Sequence, residues 1–250
     1  MNSLNIFAVL IGSAAALGLY RVSRQRSGQW AEAGLVVLAL ALVGARALYA
    51  LENLAYYRLH PAEILQVWLG GLSAPGAVLG GLVGLAPAAW LSRAPLLRLA
   101  DWLYPLLPPL AVSGWLGCWL VGSAYGPLAG SAWWGVPAPD VEGQVLMRLP
   151  VQMGAAVSLV VFFLLLESLI PLPRPAGWLF SLAATWLVLV GLAASLLRAD
   201  PAPLWNGFRH ETWVYLILLI PLFGLFAVLN LTARRPRTRR AQRKGADQPA

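Results

Sequence analysis

Residues 213–231 read WVYLILLIPLFGLFAVLNL, nineteen positions without an Asp, Glu, Lys, Arg or His. A hydrocarbon core about 30 Å thick takes roughly 20 apolar residues in a helix, so this stretch is long enough to cross a bilayer. Six more stretches of the same kind precede it, at 177–197, 151–171, 99–123, 67–91, 32–56 and 4–21. Polar connections separate them. Backbone groups in lipid have no water to bond, so each stretch is expected to be a helix. Decads of alternating polar and apolar residues, the mark of a membrane barrel, are absent. The reading is an all-α polytopic membrane protein with seven transmembrane helices.

Composition points the same way. Hydrophobic residues make up 59% and charged residues 11% of the chain, and the mean hydropathy is +0.70. A soluble domain carries about 25% charged residues. Many of the twelve Trp fall near span ends, as interfacial belts require. Cys118 is the single cysteine, which excludes an internal disulfide framework and a multi-cysteine metal site. The N-terminus lacks a basic segment and a clear cleavage site, so the first span is expected to be retained.

Charge sets the orientation. The connections after spans one, three and five, together with the C-terminal tail, hold 13 Lys and Arg, while the opposite connections hold 4. The positive-inside rule then places the N-terminus outside and the C-terminus in the cytoplasm. Residues 1–232 form the membrane domain, and 233–250 form a basic, disordered cytoplasmic tail. The net charge of +8 sits largely in that tail, without interleaved aromatics. It suits anionic lipid headgroups rather than nucleic acid. The outer connections carry both histidines, His60 and His210, beside Glu52, Glu63, Asp140, Glu142, Asp200 and Glu211 and the four arginines Arg58, Arg148, Arg198 and Arg209. A reaction or headgroup site is therefore expected on the outer side. Glu167, near the inner end of span five, has no evident partner and is expected to snorkel.

Five motifs stand out. In 44–53, GARALYALEN, the spacing places Arg46, Tyr49 and Glu52 or Asn53 on one helix face. An intramembrane Arg is costly and faces protein or water. Arg46 is either an anion clamp, since a guanidinium matches phosphate bidentately, or a structural residue paired with Glu52 or with carbonyls, or one that snorkels to the interface. In 68–81, WLGGLSAPGAVLGG, Gly70 to Gly76 with Ser73 read as an irregular, ligand-facing loop, while Gly80 and Gly81 read as helix-packing positions. In 114–126, GWLGCWLVGSAYG, small residues again recur at helical spacing, and Cys118 reads as packing. The connection 124–150 that follows is long enough to be functional. Arg148 and Gln152 flank Pro150, a helix-start residue, and read as a polar pair at a cavity mouth or as interfacial anchors. Leu197-Arg198-Ala199-Asp200-Pro201 ends span six, where Arg198 either holds a headgroup or complements the helix terminus.

In order and spacing these motifs resemble bacterial prolipoprotein diacylglyceryl transferase, a seven-span inner-membrane enzyme. The resemblance runs from about residue 5 to about residue 230. Its G-x-R-x-x-Y stretch resembles Gly44 to Tyr49, and its W-x-G-G-[LM]-S-x-H-G loop resembles Trp68 to Gly76. Its D-x-x-x-P opening resembles Asp101 and Pro105, and its glycine-rich signature resembles Gly114 to Gly126. Its R-H-P-[ST]-Q resembles Arg148, Pro150 and Gln152, and its L-R-x-D resembles Leu197 to Asp200.

The resemblance implies transfer of diacylglyceryl from phosphatidylglycerol, or another anionic phospholipid, to the lipobox cysteine of a preprolipoprotein signal peptide. Glycerol phosphate would leave. Arg46 and Arg148 would hold the phosphate, Tyr49 and Gln152 would orient the headgroup, Ser73 and Arg198 would line the site, and His60 or His210 would be the base. Several family positions differ here. The loop histidine falls at Pro75, the signature arginine at Trp115, its asparagine at Cys118, the following glutamate at Ser123 and the histidine of R-H-P at Leu149. The arginine expected in span six has no counterpart between Leu179 and Leu197. Removing a general base costs ~100- to 10,000-fold in rate. An inactive relative that binds phospholipid or a signal helix is the alternative reading.

Overall fold

The computed structural model describes residues 3–25, 28–140, 142–169 and 174–233. Apart from residue 233, the basic tail lies outside them. The protein is mostly helical, and among the described residues seven helices or helix pairs are long and apolar enough to cross a membrane. They are α1 (Ser3–Gln25), α2 (Gly28–Glu52), α4 (Ala74–Leu91), α5 with α6 (Leu96–Leu103 and Leu107–Leu120), α7 (Val151–Leu169), α8 (Trp178–Leu197) and α9 (His210–Ala233). A short α3 (Leu54–Leu59) follows α2. The fourth span is broken at Tyr104–Leu106, a 3-10 turn containing Pro105 with Pro108 just beyond it. Proline removes a backbone donor and clashes with the preceding turn, so the α pattern is interrupted there without ending the span.

The spans expected from sequence are present, with one shifted start. The apolar stretch from residue 67 begins as a 3-10 turn, Val67–Leu69, and the α-helix starts only at Ala74, with Pro75 in its first turn. Two hairpins were not expected from sequence. β1 (Val136–Pro139) pairs with β2 (Val145–Arg148) inside the long connection, with Val136 opposite Arg148. β3 (Leu204–Trp205) pairs with β4 (Phe208–Arg209) before α9.

Packing follows side-chain size. α2 and α4 form the closest helix pair, and glycine makes that approach possible. A Cβ placed on Gly80 would lie 2.1 Å from the Leu40 carbonyl oxygen, and one on Gly44 would lie 2.5 Å from the Gly76 carbonyl oxygen. In lipid there is little hydrophobic gain between helices, so backbone proximity and dispersion hold them. Gly81 plays a looser part, because its nearest neighbour would be Ala41 Cβ at 3.8 Å. Three apolar clusters complete the interior. Val22, Leu85, Leu99 and Leu103 join α1, α4 and α5. Leu159, Phe163 and Ala183 join α7 to α8, and Val188, Tyr215 and Leu218 join α8 to α9.

The two ends of the bundle differ. At the end holding the 92–95 connection, Asp101 accepts the Gly177 amide at 2.6 Å and the Phe180 amide at 2.9 Å, capping α8. Trp178 Nε1 donates to Asn230 Oδ1 at 3.0 Å. Glu167 is paired with Arg21 of α1, which corrects the expectation that it lacks a partner. The two residues are 146 positions apart in the chain, so local spacing carries no sign of the pair. The opposite end gathers the connections 53–73, 121–150 and 198–209, and most of the buried polar side chains.

Candidate functional site

Arg46 lies in the last two turns of α2 and is buried. It reaches over the 63–71 segment. Nε donates to the Ile64 carbonyl at 2.8 Å, and Nη1 donates to Gly70 at 2.6 Å and Gly71 at 2.9 Å. Nη2 donates to the carbonyls of Glu63 and Gln66. The guanidinium also stands 5.3 Å from the Tyr57 ring centre. These carbonyls belong to 3-10 and irregular backbone outside the α-helices, which at membrane depth needs partners from the protein. Tyr49, one turn on, faces the same loop. A Cβ on Gly71 would meet the Tyr49 ring at 2.4 Å and Arg46 Nη1 at 2.8 Å. Gly71 has φ +75, so glycine is required there on both counts. Arg46 and Tyr49 thus do share a helix face, and that face carries the loop leading to Ser73. Ser73 is buried, and its amide donates to the Ala45 carbonyl at 3.0 Å.

A second group centres on four charged side chains. Arg198 grips Asp200 bidentately, at 2.8 and 2.6 Å, and donates to Glu211 at 3.0 Å. Arg209 donates to Glu211 Oε1 at 2.6 Å, to the Asp200 carbonyl at 2.7 Å and to Asp200 Oδ2 at 3.3 Å. The end of α8, the β3–β4 hairpin and the start of α9 are tied together by this quartet. Burial works against the charge on Arg198, but the Asp200 hydrogen bonds and the carboxylates of Glu211 and Asp200 outweigh it and raise the guanidinium above its ordinary pKa. Burial likewise pushes the Asp200 carboxyl up, and Arg198, then Arg209, more than reverse this and hold it below its usual value. Glu52, the last residue of α2, lies against Ser73 and within the field of Glu211, Arg198 and Arg209.

Arg148 and Gln152 form a third group. Arg148 ends β2, bonds Asp140 Oδ2 at 3.1 Å and stacks 4.2 Å over the Tyr125 ring. Gln152, in the first turn of α7, donates to the Ser123 carbonyl at 2.8 Å. Each keeps one buried polar atom without a partner, Arg148 Nε and Gln152 Oε1. The Ala199 amide donates to the Tyr125 carbonyl at 2.8 Å, joining this group to the quartet.

The histidines stand elsewhere. His60 is exposed, stacks on Tyr56 at 4.6 Å and places Nδ1 3.3 Å from the Tyr56 carbonyl. His210 is half-buried at the first position of α9. Among the described residues, neither imidazole hydrogen-bonds to Arg46, Ser73 or Arg148. Nor do any three His, Cys, Asp or Glu gather there as a metal-ligand set. Beside the Arg46 loop, an apolar cavity of about 430 Å³ is lined by Ala47, Ala50, Leu51, Leu54, Tyr57, Arg58 and Ile64.

Compared with known proteins, the family model described as prolipoprotein diacylglyceryl transferase matches residues 2–229. The chain belongs to the prolipoprotein diacylglyceryl transferase family. It is 31% identical to the phosphatidylglycerol–prolipoprotein diacylglyceryl transferase of Nitratidesulfovibrio vulgaris (strain Miyazaki F), over 82% of this chain and 75% of that relative. It is 28% identical to the protein of the same name from Bordetella avium, over 88% of this chain and 85% of the relative. The Thermosynechococcus vestitus protein of that name is 28% identical over 78% of this chain and 75% of its own length. In this member of the transferase family Asp140, Arg209 and Glu211 join the expected residues. In the sequence Asp140 and Glu211 are polar residues of the outer connections without an assigned role, and Arg209 is one of the outer arginines open to a site role. The alternation Arg209-His210-Glu211 at a helix start was the available signal.

Proposed function

We propose that this protein transfers a diacylglyceryl group from phosphatidylglycerol, or a related anionic phospholipid, to the lipobox cysteine of a preprolipoprotein signal peptide. The site of action is the bacterial inner membrane, with the polar end of the bundle toward the outer leaflet. The observation that carries this is the convergence of buried Arg148, Arg209, Ser73 and Gln152, with half-buried Arg198, at one end of a chain matched to the family over residues 2–229.

The reaction joins the thiol sulfur to the glyceryl carbon and breaks that carbon's bond to the phosphate ester oxygen. Glycerol phosphate leaves with the electron pair, and the thiol proton must be removed. Guanidinium groups aimed at the departing phosphate favour it, because a charge-assisted contact is worth most where water is scarce. Arg148, with an unbonded Nε, is the residue assigned to that contact. Arg46, with its donors on loop carbonyls, holds the shape of the segment that presents Ser73. The apolar cavity beside that loop suits an acyl chain, and the family chemistry calls for no metal or diffusible cofactor.

The placement of His60 and His210 favours a second reading, binding of phospholipid or a signal helix without turnover. A transfer assay separates the two. Purified protein receives labelled phosphatidylglycerol and a lipobox peptide, with the Cys→Ser peptide as control. Cysteine-dependent label on the peptide is the expected result. Co-purifying lipid with no transfer would leave the binding reading.

A further inference from the structure

We infer that Glu52 is the general base of the transfer, taking the proton from the acceptor thiol; this rests on the transferase reading above. The polar end of the bundle holds several half-buried carboxylates, and they differ in what they touch. Asp200 has both oxygens on guanidinium nitrogens, and so does Glu211. A carboxylate held in that way is a weak proton acceptor, because protonation would cost it two charge-assisted hydrogen bonds. Glu52 is not held so. Its Oε1 is buried and has no hydrogen-bond partner, and the carboxylate draws a hydrogen bond from the neutral Ser73 hydroxyl rather than from a guanidinium. A buried acceptor without a donor is costly in a folded protein unless something supplies a proton or a hydrogen bond.

The placement also fits. Glu52 ends α2, one turn beyond Tyr49 and on the same side as the Ser73 loop. The titratable and charged groups whose fields reach it are Tyr49 from its own helix, Arg198 from the end of α8, Arg209 from β4, and Glu211 and Tyr215 from α9. The Arg198 and Arg209 guanidinium groups donate to Asp200 and Glu211 and not to this carboxylate. In the step proposed, the S–H proton passes to Glu52 Oε1 as sulfur attacks the glyceryl carbon. The carbon–oxygen bond to phosphate breaks, glycerol phosphate leaves as the anion, and Glu52 then gives its proton to water.

The test compares wild type, Glu52→Gln, Glu52→Asp and the exposed-site control Glu142→Gln in the labelled transfer assay from pH 5 to 9, with thermal unfolding measured alongside. Glu52→Gln is expected to lose at least about 100-fold in transfer rate and to lose the acidic limb of the wild-type pH profile. Its unfolding temperature should stay close to wild type, and Glu52→Asp should recover part of the rate with a displaced limb. A folded Glu52→Gln that transfers within about threefold of wild type would overturn the base assignment and leave the transferase reading standing. Wild type without transfer would overturn both. Should Glu52→Gln fail to fold, Glu52→Asp decides: a profile superimposable on wild type would refute the role.

Discussion

Arg46 shows how a residue that reads as ligand-binding can be engaged by its own chain. A buried guanidinium has five N–H donors, and the carbonyls of Glu63, Ile64, Gln66, Gly70 and Gly71 receive them. Arg46→Ala would leave those carbonyls short of partners at membrane depth. The expected cost is about 3–5 kcal/mol, in the range for removing one side of a buried charged contact. Thermal unfolding in detergent should show it, and Arg46→Lys, a point charge without the fork, should recover only part. Arg148 is expected to behave differently, since its Nε is free. Arg148→Ala should lower transfer by about 10- to 100-fold, the equivalent of one charge-assisted contact. A variant transferring at the wild-type rate would remove Arg148 from the phosphate contact.

Between elements, two contacts decide how the polar end is built. The first is the α2–α4 seam. Gly80→Ala drives a Cβ against the Leu40 carbonyl, a backbone atom that cannot rotate away. A loss of about 1–3 kcal/mol or more is expected. Gly81→Ala, with 3.8 Å to its nearest neighbour, should be close to neutral. Equal effects at the two positions, measured as unfolding temperature, would contradict the seam geometry. The second contact is the Arg198–Asp200–Arg209–Glu211 quartet. Asp200 is held below its ordinary value of 3.8, so its contribution to stability is fully present above about pH 4. It is lost as the pH falls through the depressed folded pKa. Unfolding temperature followed from pH 7 down to pH 3 should fall for wild type, and Asp200→Asn should start lower and show a smaller acid-induced drop.

For the whole molecule, the distribution of Lys and Arg predicts which end faces the cytoplasm. With 13 on one side and 4 on the other, the tail should be inside. A cysteine placed at Asp247 in a Cys118→Ser background should react with an impermeant thiol reagent only after inner-membrane vesicles are inverted or opened. One placed at the exposed Glu142 should react in intact spheroplasts. The reverse pattern would invert the protein and move the polar end to the cytoplasmic leaflet.

The seven spans were legible because each is a local property: about 20 apolar residues in a row suffice, whatever the rest of the chain does. The glycine pairs were legible as packing positions for a similar reason, although only the fold distinguishes Gly80 from Gly81. Motif order was enough to indicate the family. Pairing with carbonyls was one of the readings open for Arg46, but which five loop carbonyls was not legible. Nor was Arg21 with Glu167 or Glu52 with Ser73, because these partners are separated along the chain by more than any helical period. A short apolar alphabet leaves many helix arrangements equally hydrophobic. Tertiary packing therefore decided which arginines are engaged by backbone, which by carboxylates, and which carboxylate oxygen remains open to a proton.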